Sequence, residues 1–261
     1  MKVWHMSGAG NDFMVLDARG KTLDFSSLAK KLCAQTGTDG FMALDTSKTA
    51  DFRLHFYNSD GSRGEMCGNG SRCICRFAYE NGLAGENMTI ETDAGLVPGR
   101  RLTESAYEVQ LNTPTVLDLQ RKACTAYVEL GCPGSPHAVR QAPGFTWAEK
   151  DLMRDQARDL RFDPTFPKGA NVNFYTWLGE GHIRILTFER GVEDYTLACG
   201  TGTGSTAAVL WAMGKLPEGK LKAENPGGTL TVTVEGENGT VIKLLLEGPT
   251  EIVKIYDIEI A

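Results

Sequence analysis

The feature that most constrains the fold is an internal repeat. Phe56-Tyr57-Asn58 precedes Cys67 just as Phe188-Glu189-Arg190 precedes Cys199, eleven residues from each Phe to its Cys, and the two copies lie 132 residues apart. Behind each cysteine the pattern continues at the same offset. Cys67-Gly68-Asn69-Gly70 opens an amphipathic run that ends at Gly82, and Cys199-Gly200-Thr201-Gly202 opens one that ends at Gly214. Both copies then pass through strand-like runs to a Pro-Thr, at Pro114-Thr115 and Pro249-Thr250, where the offset has drifted to 135. The 261 residues therefore read as two homologous halves of about 120 residues each. The expected division is 1–117 and 118–249, with a joint near Val116 to Lys122 and a tail, 250–261, that pairs back onto the first half.

Within each half, short β-branched and aromatic runs alternate with Gly-rich turns. The expected strands are Phe13 to Leu16, Phe52 to Tyr57, Met88 to Thr92, Tyr107 to Leu111, Ala126 to Leu130, Asn171 to Leu178, Ile183 to Phe188, Thr229 to Val234 and Val241 to Leu246. Helical patterns cover Ser27 to Gln35, Trp147 to Leu160 and the segments after Cys67 and Cys199. Thr146 and Glu149 form a capping box before the Trp147 run, and Asp163-Pro164 blocks its continuation.

Seven cysteines cannot all pair, no CxxC occurs, and no apolar signal segment opens the chain, so free thiols, a cytoplasmic setting and no metal site are expected. Most of the seven read as small buried hydrophobes. A net charge of −6 argues against a nucleic-acid or anionic-membrane footprint. Cys67 and Cys199 stand apart because each sits where a Gly-x-Gly enters a helix. Unpaired backbone N–H groups at a helix N-terminus hold anions and lower a thiol pKa. One such element is a tight turn; two at equivalent positions suggest a thiolate that removes a proton and a thiol that returns one, the requirement of a racemase or epimerase. Gly200-Thr201-Gly202-Thr203-Gly204-Ser205 lacks the lysine of a P-loop and the spacing of a dinucleotide site.

These residues fall in motifs that resemble diaminopimelate epimerase, of the cofactor-independent amino-acid racemase superfamily that includes proline racemase. The motifs are Gly8-Ala9-Gly10-Asn11-Asp12-Phe13, Asn58 through Met66-Cys67-Gly68-Asn69-Gly70, Ser135-Pro136-His137-Ala138-Val139, Asn171-Val172-Asn173-Phe174, and Glu189-Arg190-Gly191 with Ala198-Cys199-Gly200-Thr201-Gly202. The resemblance implies an α/β (α+β) fold of two pseudo-symmetric domains, each a curled, mostly antiparallel sheet or barrel around a central helix, with the active site in the cleft between them. It implies epimerisation of LL- to meso-2,6-diaminopimelate without pyridoxal phosphate, metal or nucleotide, serving lysine and peptidoglycan synthesis. The alternatives are a sister racemase of another amino acid and a non-racemising isomerase-like relative. Carried over position by position, Cys67 and Cys199 are the acid/base pair, with His137 and Glu189 beside the reacting centre. Gly68, Asn69, Gly200 and Thr201 would hold the α-carboxylate. Asn11, Asn58, Asn171, Glu189 and Arg190 would hold the distal end of the substrate. The implied partner is a small amino acid, with a homodimer as the candidate assembly. Two positions depart from the pattern: Ser135 stands where many members have Asn, and Tyr195 where a Glu is common.

Overall fold

The computed structural model describes residues 1–258; Glu259, Ile260 and Ala261, the end of the expected tail, lie outside the described residues. The chain divides into two compact units, Met1–Gln110 with the segment from Glu247 onward, and Leu111–Leu246. In chain order the first unit holds β1 (Lys2–Gly8), β2 (Asn11–Asp17), α1 (Phe25–Thr36), β3 (Gly40–Asp45), β4 (Phe52–Asn58), the two-residue β5 (Arg63–Gly64), α2 (Gly68–Glu80), β6 (Asn87–Thr92), β7 (Gly95–Arg101) and β8 (Ala106–Leu111). The second begins with β9 (Pro114–Lys122), β10 (Thr125–Leu130) and β11 (Ser135–Gln141), followed by a 3-10 segment, Trp147–Met153. It goes on through α2's later counterpart and its neighbours: α3 (Arg154–Arg161), β12 (Asn171–Gly179), β13 (His182–Phe188), α4 (Gly200–Ala212), β14 (Lys220–Asn225), β15 (Gly228–Glu237) and β16 (Thr240–Pro249). β17 (Glu251–Asp257) follows and belongs to the first unit.

Each unit uses the same order of strand directions. In the first, β1–β2 is antiparallel, β2–β3 parallel, β3–β4 antiparallel, β4–β6 parallel and β6–β7–β8 antiparallel. In the second, β10–β11, β12–β13 and β14–β15 are antiparallel, while β11–β12 and β13–β14 are parallel. The outer strands correspond as well. β17 lies antiparallel on β1, and β9 lies antiparallel on β10. Each of these strands adjoins a Pro-Thr that closes a repeat. Val116 to Lys122, expected as a joint between the halves, is therefore the body of β9; pairing with β10 satisfies its backbone groups.

One helix sits at the centre of each unit. α2 and α4 are both 13 residues long, and both of their ends correspond at the 132-residue offset. α2 packs against β1, β2, β3 and β7, and α4 against β9, β10, β11, β12, β14 and β15. Such helices are buried all round. In α4 the burial runs through Gly200 and Gly202–Leu210, and Val209 and Leu210 each contribute about 1.5–3 kcal/mol by leaving water. Small residues let the strands come this close: a Cβ at Gly70 would collide with Met42 Cε, and one at Gly202 with Asn173 Oδ1.

The Trp147–Leu160 helix is not continuous. Its capping interaction forms, the Thr146 amide and hydroxyl donating to Glu149 Oε2 at 2.9 and 2.8 Å, but residues 147–153 wind as a 3-10 segment and α geometry begins at Arg154. No residue of that first segment is fully buried, and its two ends, Trp147 and Met153, are only partly packed against the core, whereas α3 buries Ala157 and Leu160. The cysteines also depart from expectation in part. Cys33, Cys73 and Cys75 are buried as expected, but Cys124 and Cys132 are exposed in loops, Cys124 at a positive φ of 57° in the β9–β10 turn.

Candidate active site

Both motif cysteines are helix N-caps with the same backbone. Cys67 has φ −128° and ψ 118° before α2, and Cys199 has φ −121° and ψ 111° before α4. The first helical bonds close on their carbonyls, Ser71 N donating to Cys67 O at 2.7 Å and Thr203 N to Cys199 O at 2.9 Å. The extended cap brings each side chain to the end of the helix, where the first N–H groups have no intrahelical acceptor.

In the first unit, Cys67 Sγ donates to Asn11 Oδ1 at 3.7 Å. Asn11 is in turn held by Asp39, whose Oδ2 accepts from Asn11 Nδ2 at 2.5 Å and from the Asp12 amide at 2.8 Å. Gly68 and Asn69, the next two residues, are buried, and Asn69 Oδ1 accepts from Arg72 Nη1 at 3.1 Å. Asn58 is placed differently. Its Nδ2 donates to Ser62 Oγ at 2.9 Å and its backbone N–H to Ser62 O at 2.8 Å, so this exposed carboxamide braces its own turn.

In the second unit, the Gly202 amide donates to Cys199 Sγ at 3.3 Å and Thr201 Oγ1 lies 3.4 Å away. Glu189 also hydrogen-bonds this thiol. Burial is the largest influence on Cys199 and pushes it well above its ordinary value. The Glu189 charge adds to that, while the Thr201 hydroxyl and Gly202 N–H act the other way and are outweighed. The expectation that a helix end lowers the thiol is thus corrected for Cys199: the donors are present, but desolvation exceeds them.

His137 is wholly buried on β11 and lies 3.2 Å from Asn173 Nδ2 through Nδ1, and 3.3 Å from Ser135 Oγ through Nε2. Asn173 Nδ2 also donates to Ala138 O at 3.0 Å, while its Oδ1 accepts from Thr187 Oγ1 at 2.9 Å. These neighbours fix the amide orientation, which makes Nδ1 an acceptor and puts the ring proton on Nε2. Burial, with Arg190 repelling a second positive charge, lowers His137 to about 3, so the ring is neutral at ordinary pH. Asn171 ties the Ser135-Pro136-His137 motif to Arg190: its Nδ2 donates to Pro136 O at 3.0 Å, and its Oδ1 accepts from the Arg190 amide at 2.8 Å. The Arg190 side chain is exposed, with Nη1 donating to Lys168 O at 3.1 Å.

Two residues matter here that the sequence analysis did not assign, Asn173 and Thr187. Strand alternation was the available signal, because Asn171 and Asn173 share one face of β12. Of the two departures, Ser135 supplies the oxygen beside His137 Nε2. Tyr195 packs edge-on to Phe188, with centroids 5.4 Å apart, and Arg154 lies over its ring at 5.5 Å. Burial raises its hydroxyl to about 12, and the hydroxyl has no hydrogen-bond partner among the described residues.

The family model for diaminopimelate epimerase matches residues 3–113 and 132–253. The chain belongs to the diaminopimelate epimerase family. Its reaction class is therefore isomerisation. Among its relatives are the diaminopimelate epimerase of Flavobacterium psychrophilum, 32% identical over 97% of this chain and 98% of that one, and that of Aquifex aeolicus, 37% identical over 82% of each. Solved structures that share the fold include a Bacillus anthracis phenazine biosynthesis protein of the PhzF family, with TM-score 0.75 and 17% identity over 100% of this chain and 99% of that one. A probable proline racemase from Agrobacterium radiobacter has TM-score 0.70 and 17% identity over 100% of this chain and 93% of that one. The Ser135 and Tyr195 departures thus occur within the diaminopimelate epimerase family itself.

Proposed function

We propose that this chain interconverts LL- and meso-2,6-diaminopimelate, with Cys67 and Cys199 as the acid/base pair acting on one α-carbon. The observation that carries this reading is the pair of cysteines at equivalent helix N-termini, with matching backbone angles, in a chain of this family. Removing an α-proton builds negative charge towards the carboxylate, which a helix end stabilises through its unpaired N–H groups. Gly68 and Asn69 at one end, and Gly200 and Thr201 at the other, supply those groups. The reaction needs one thiolate and one thiol. The thiolate takes the α-proton, the thiol protonates the opposite face, and the reverse reaction exchanges their roles.

Glu189 suits the α-ammonium, while His137, whose Nδ1 already accepts from Asn173 and whose Nε2 bears the proton, flanks the reacting centre as a neutral group. A Glu189 carboxylate engaged by that cation no longer repels negative charge at Cys199, so substrate binding brings the thiol down towards the working pH. Neutral His137 adds no repulsion of its own. The Arg190 guanidinium fits the distal carboxylate through paired donors, and Asn11, Asn58 and Asn171 supply polar groups for the rest of the distal head. The product serves lysine biosynthesis.

Chiral chromatography of the purified protein with LL-diaminopimelate tests the reading, with L-proline, trans-4-hydroxy-L-proline and L-lysine as the comparison panel. Formation of meso-diaminopimelate and no inversion of the others is expected. Inversion of a panel amino acid with no meso product would replace this reading by the sister-racemase one.

A further inference from the structure

The two halves are alike at the cysteines and unlike just behind them. Arg72, one turn into α2, corresponds at the 132-residue offset to Gly204 in α4, and Tyr57 corresponds to Glu189. Arg72 is completely buried. Its Nη1 reaches back to Asn69 Oδ1 at 3.1 Å and Gly68 O at 3.4 Å, the two residues that follow Cys67. Its Nε and Nη2 are buried with no hydrogen-bond partner, and no carboxylate forms an ion pair with it among the described residues. At Gly204 there is no room for such a group, since a Cβ would stand 2.5 Å from Leu111 Cδ1. The end of α2 therefore carries a buried cation one turn behind Cys67 and within electrostatic reach of it, and the end of α4 carries the Glu189 anion beside Cys199.

We propose that Arg72 is a positioning residue that holds Cys67 as the thiolate in the free enzyme, leaving Cys199 as the thiol. A buried guanidinium keeps its charge, and a buried charge without a counter-ion is costly. Among the groups around it, Cys67 is the one able to supply the anion. Its proton passes to solvent, and the weak 3.7 Å contact with Asn11 Oδ1 is given up. Cys73 and Cys75 are fully buried, and burial pushes Cys73 to about 12 and Cys75 higher still. The other charged groups facing this helix are already engaged. Asp12 of β2 faces His5 of β1, Asp39 ahead of β3 holds Asn11, Arg76 lies beside Glu80, and Arg100 and Arg101 of β7 pair with Glu108 and Glu86.

The proposal rests on Cys67 and Cys199 being the acid/base pair, and its test needs no turnover. The substrate-free protein is alkylated with iodoacetamide across a pH series, and modification of each cysteine is read by peptide mass spectrometry. Cys67 is expected to react with a midpoint below that of Cys199. Arg72→Met should raise the Cys67 midpoint by about one to three pH units and leave Cys199 unmoved, while Arg72→Lys keeps it low. The acid limb of kcat/KM should move up with it in Arg72→Met. A folded Arg72→Met protein with an unchanged Cys67 midpoint overturns the assignment, and so does a wild-type protein in which Cys199 ionises first. Where Arg72→Met does not fold, Arg72→Gln replaces it, with the same expected rise and the same overturning result. Failure of the acid/base reading itself would show separately, as turnover surviving in Cys67→Ala.

Discussion

A group that must take a proton and give one back works best when its two protonation states are close in free energy at the working pH. Cys199 in the free protein is far from that condition, because burial and Glu189 both favour the thiol. Cys73, outside the proposed pair, is also held as the thiol, burial being the largest influence that pushes it to about 12. Cys67→Ala and Cys199→Ala should each abolish epimerisation, whereas Cys33→Ala, at a thiol buried in the packing of α1 against β3, should leave kcat within a factor of about two. Arg190→Lys should raise KM strongly with a smaller effect on kcat, since a point charge does not reproduce a paired contact. His137 gives a pH signature in stability. Its folded value near 3 lies below the unfolded imidazole value of 6.5. Between those limits the unfolded chain binds the extra proton. The stability is therefore full above pH 6.5 and falls as the pH drops towards 3, by about 2 kcal/mol at pH 5. Urea unfolding at pH 7 and pH 5 measures this, and His137→Asn should flatten the difference.

At the scale of single elements, the helix entries depend on close approach. Gly202→Ala places a methyl against Asn173 Oδ1, breaks the Asn173–His137 contact and should cost about 1–3 kcal/mol in urea unfolding together with most of kcat. Thr146→Ala removes one donor to Glu149 in an exposed 3-10 segment and should cost about 1 kcal/mol with kcat unchanged. The contrast between the two variants separates site geometry from helix capping. These elements also show what the sequence could reveal. The α2 and α4 entries were legible because Cys-Gly-x-Gly is a local signal that occurs twice. β3 was not, because Phe41 to Leu44 is buried throughout, which gives a continuous apolar run in place of alternation. β9 was hidden by partial burial and charge, since its pairing with β10 is decided by tertiary context. The family motifs single out Asn171 and Arg190, but the bond between them, and the use of Asn58 in its own turn, follow from loop geometry that motifs do not encode.

At the scale of the whole chain, duplication explains the architecture, and the positions where the two copies differ carry the proposed chemistry. Each unit is completed by a strand at the Pro-Thr closing a repeat, β9 starting with Pro114-Thr115 and pairing with β10, and β17 following Pro249-Thr250 and pairing with β1. Ending the chain at Thr250 removes β17 and leaves β1 with an unpaired edge, so loss of soluble, folded protein is expected by circular dichroism and sedimentation. The repeat also makes the paired cysteines visible in the sequence itself. It did not reveal the electrostatic difference between them, because the burial of Arg72 and the hydrogen bond of Glu189 to Cys199 are set by tertiary packing. The central claim is that two different groups serve the two faces of one α-carbon, and hydrogen isotope tracing tests it most directly. LL-diaminopimelate is incubated with the protein in deuterium oxide, and product and recovered substrate are analysed early by NMR and mass spectrometry. Meso product carrying deuterium at the inverted α-carbon, beside substrate that still carries protium, is the predicted result. Meso product that retains the substrate's own hydrogen would point to a single base and contradict it.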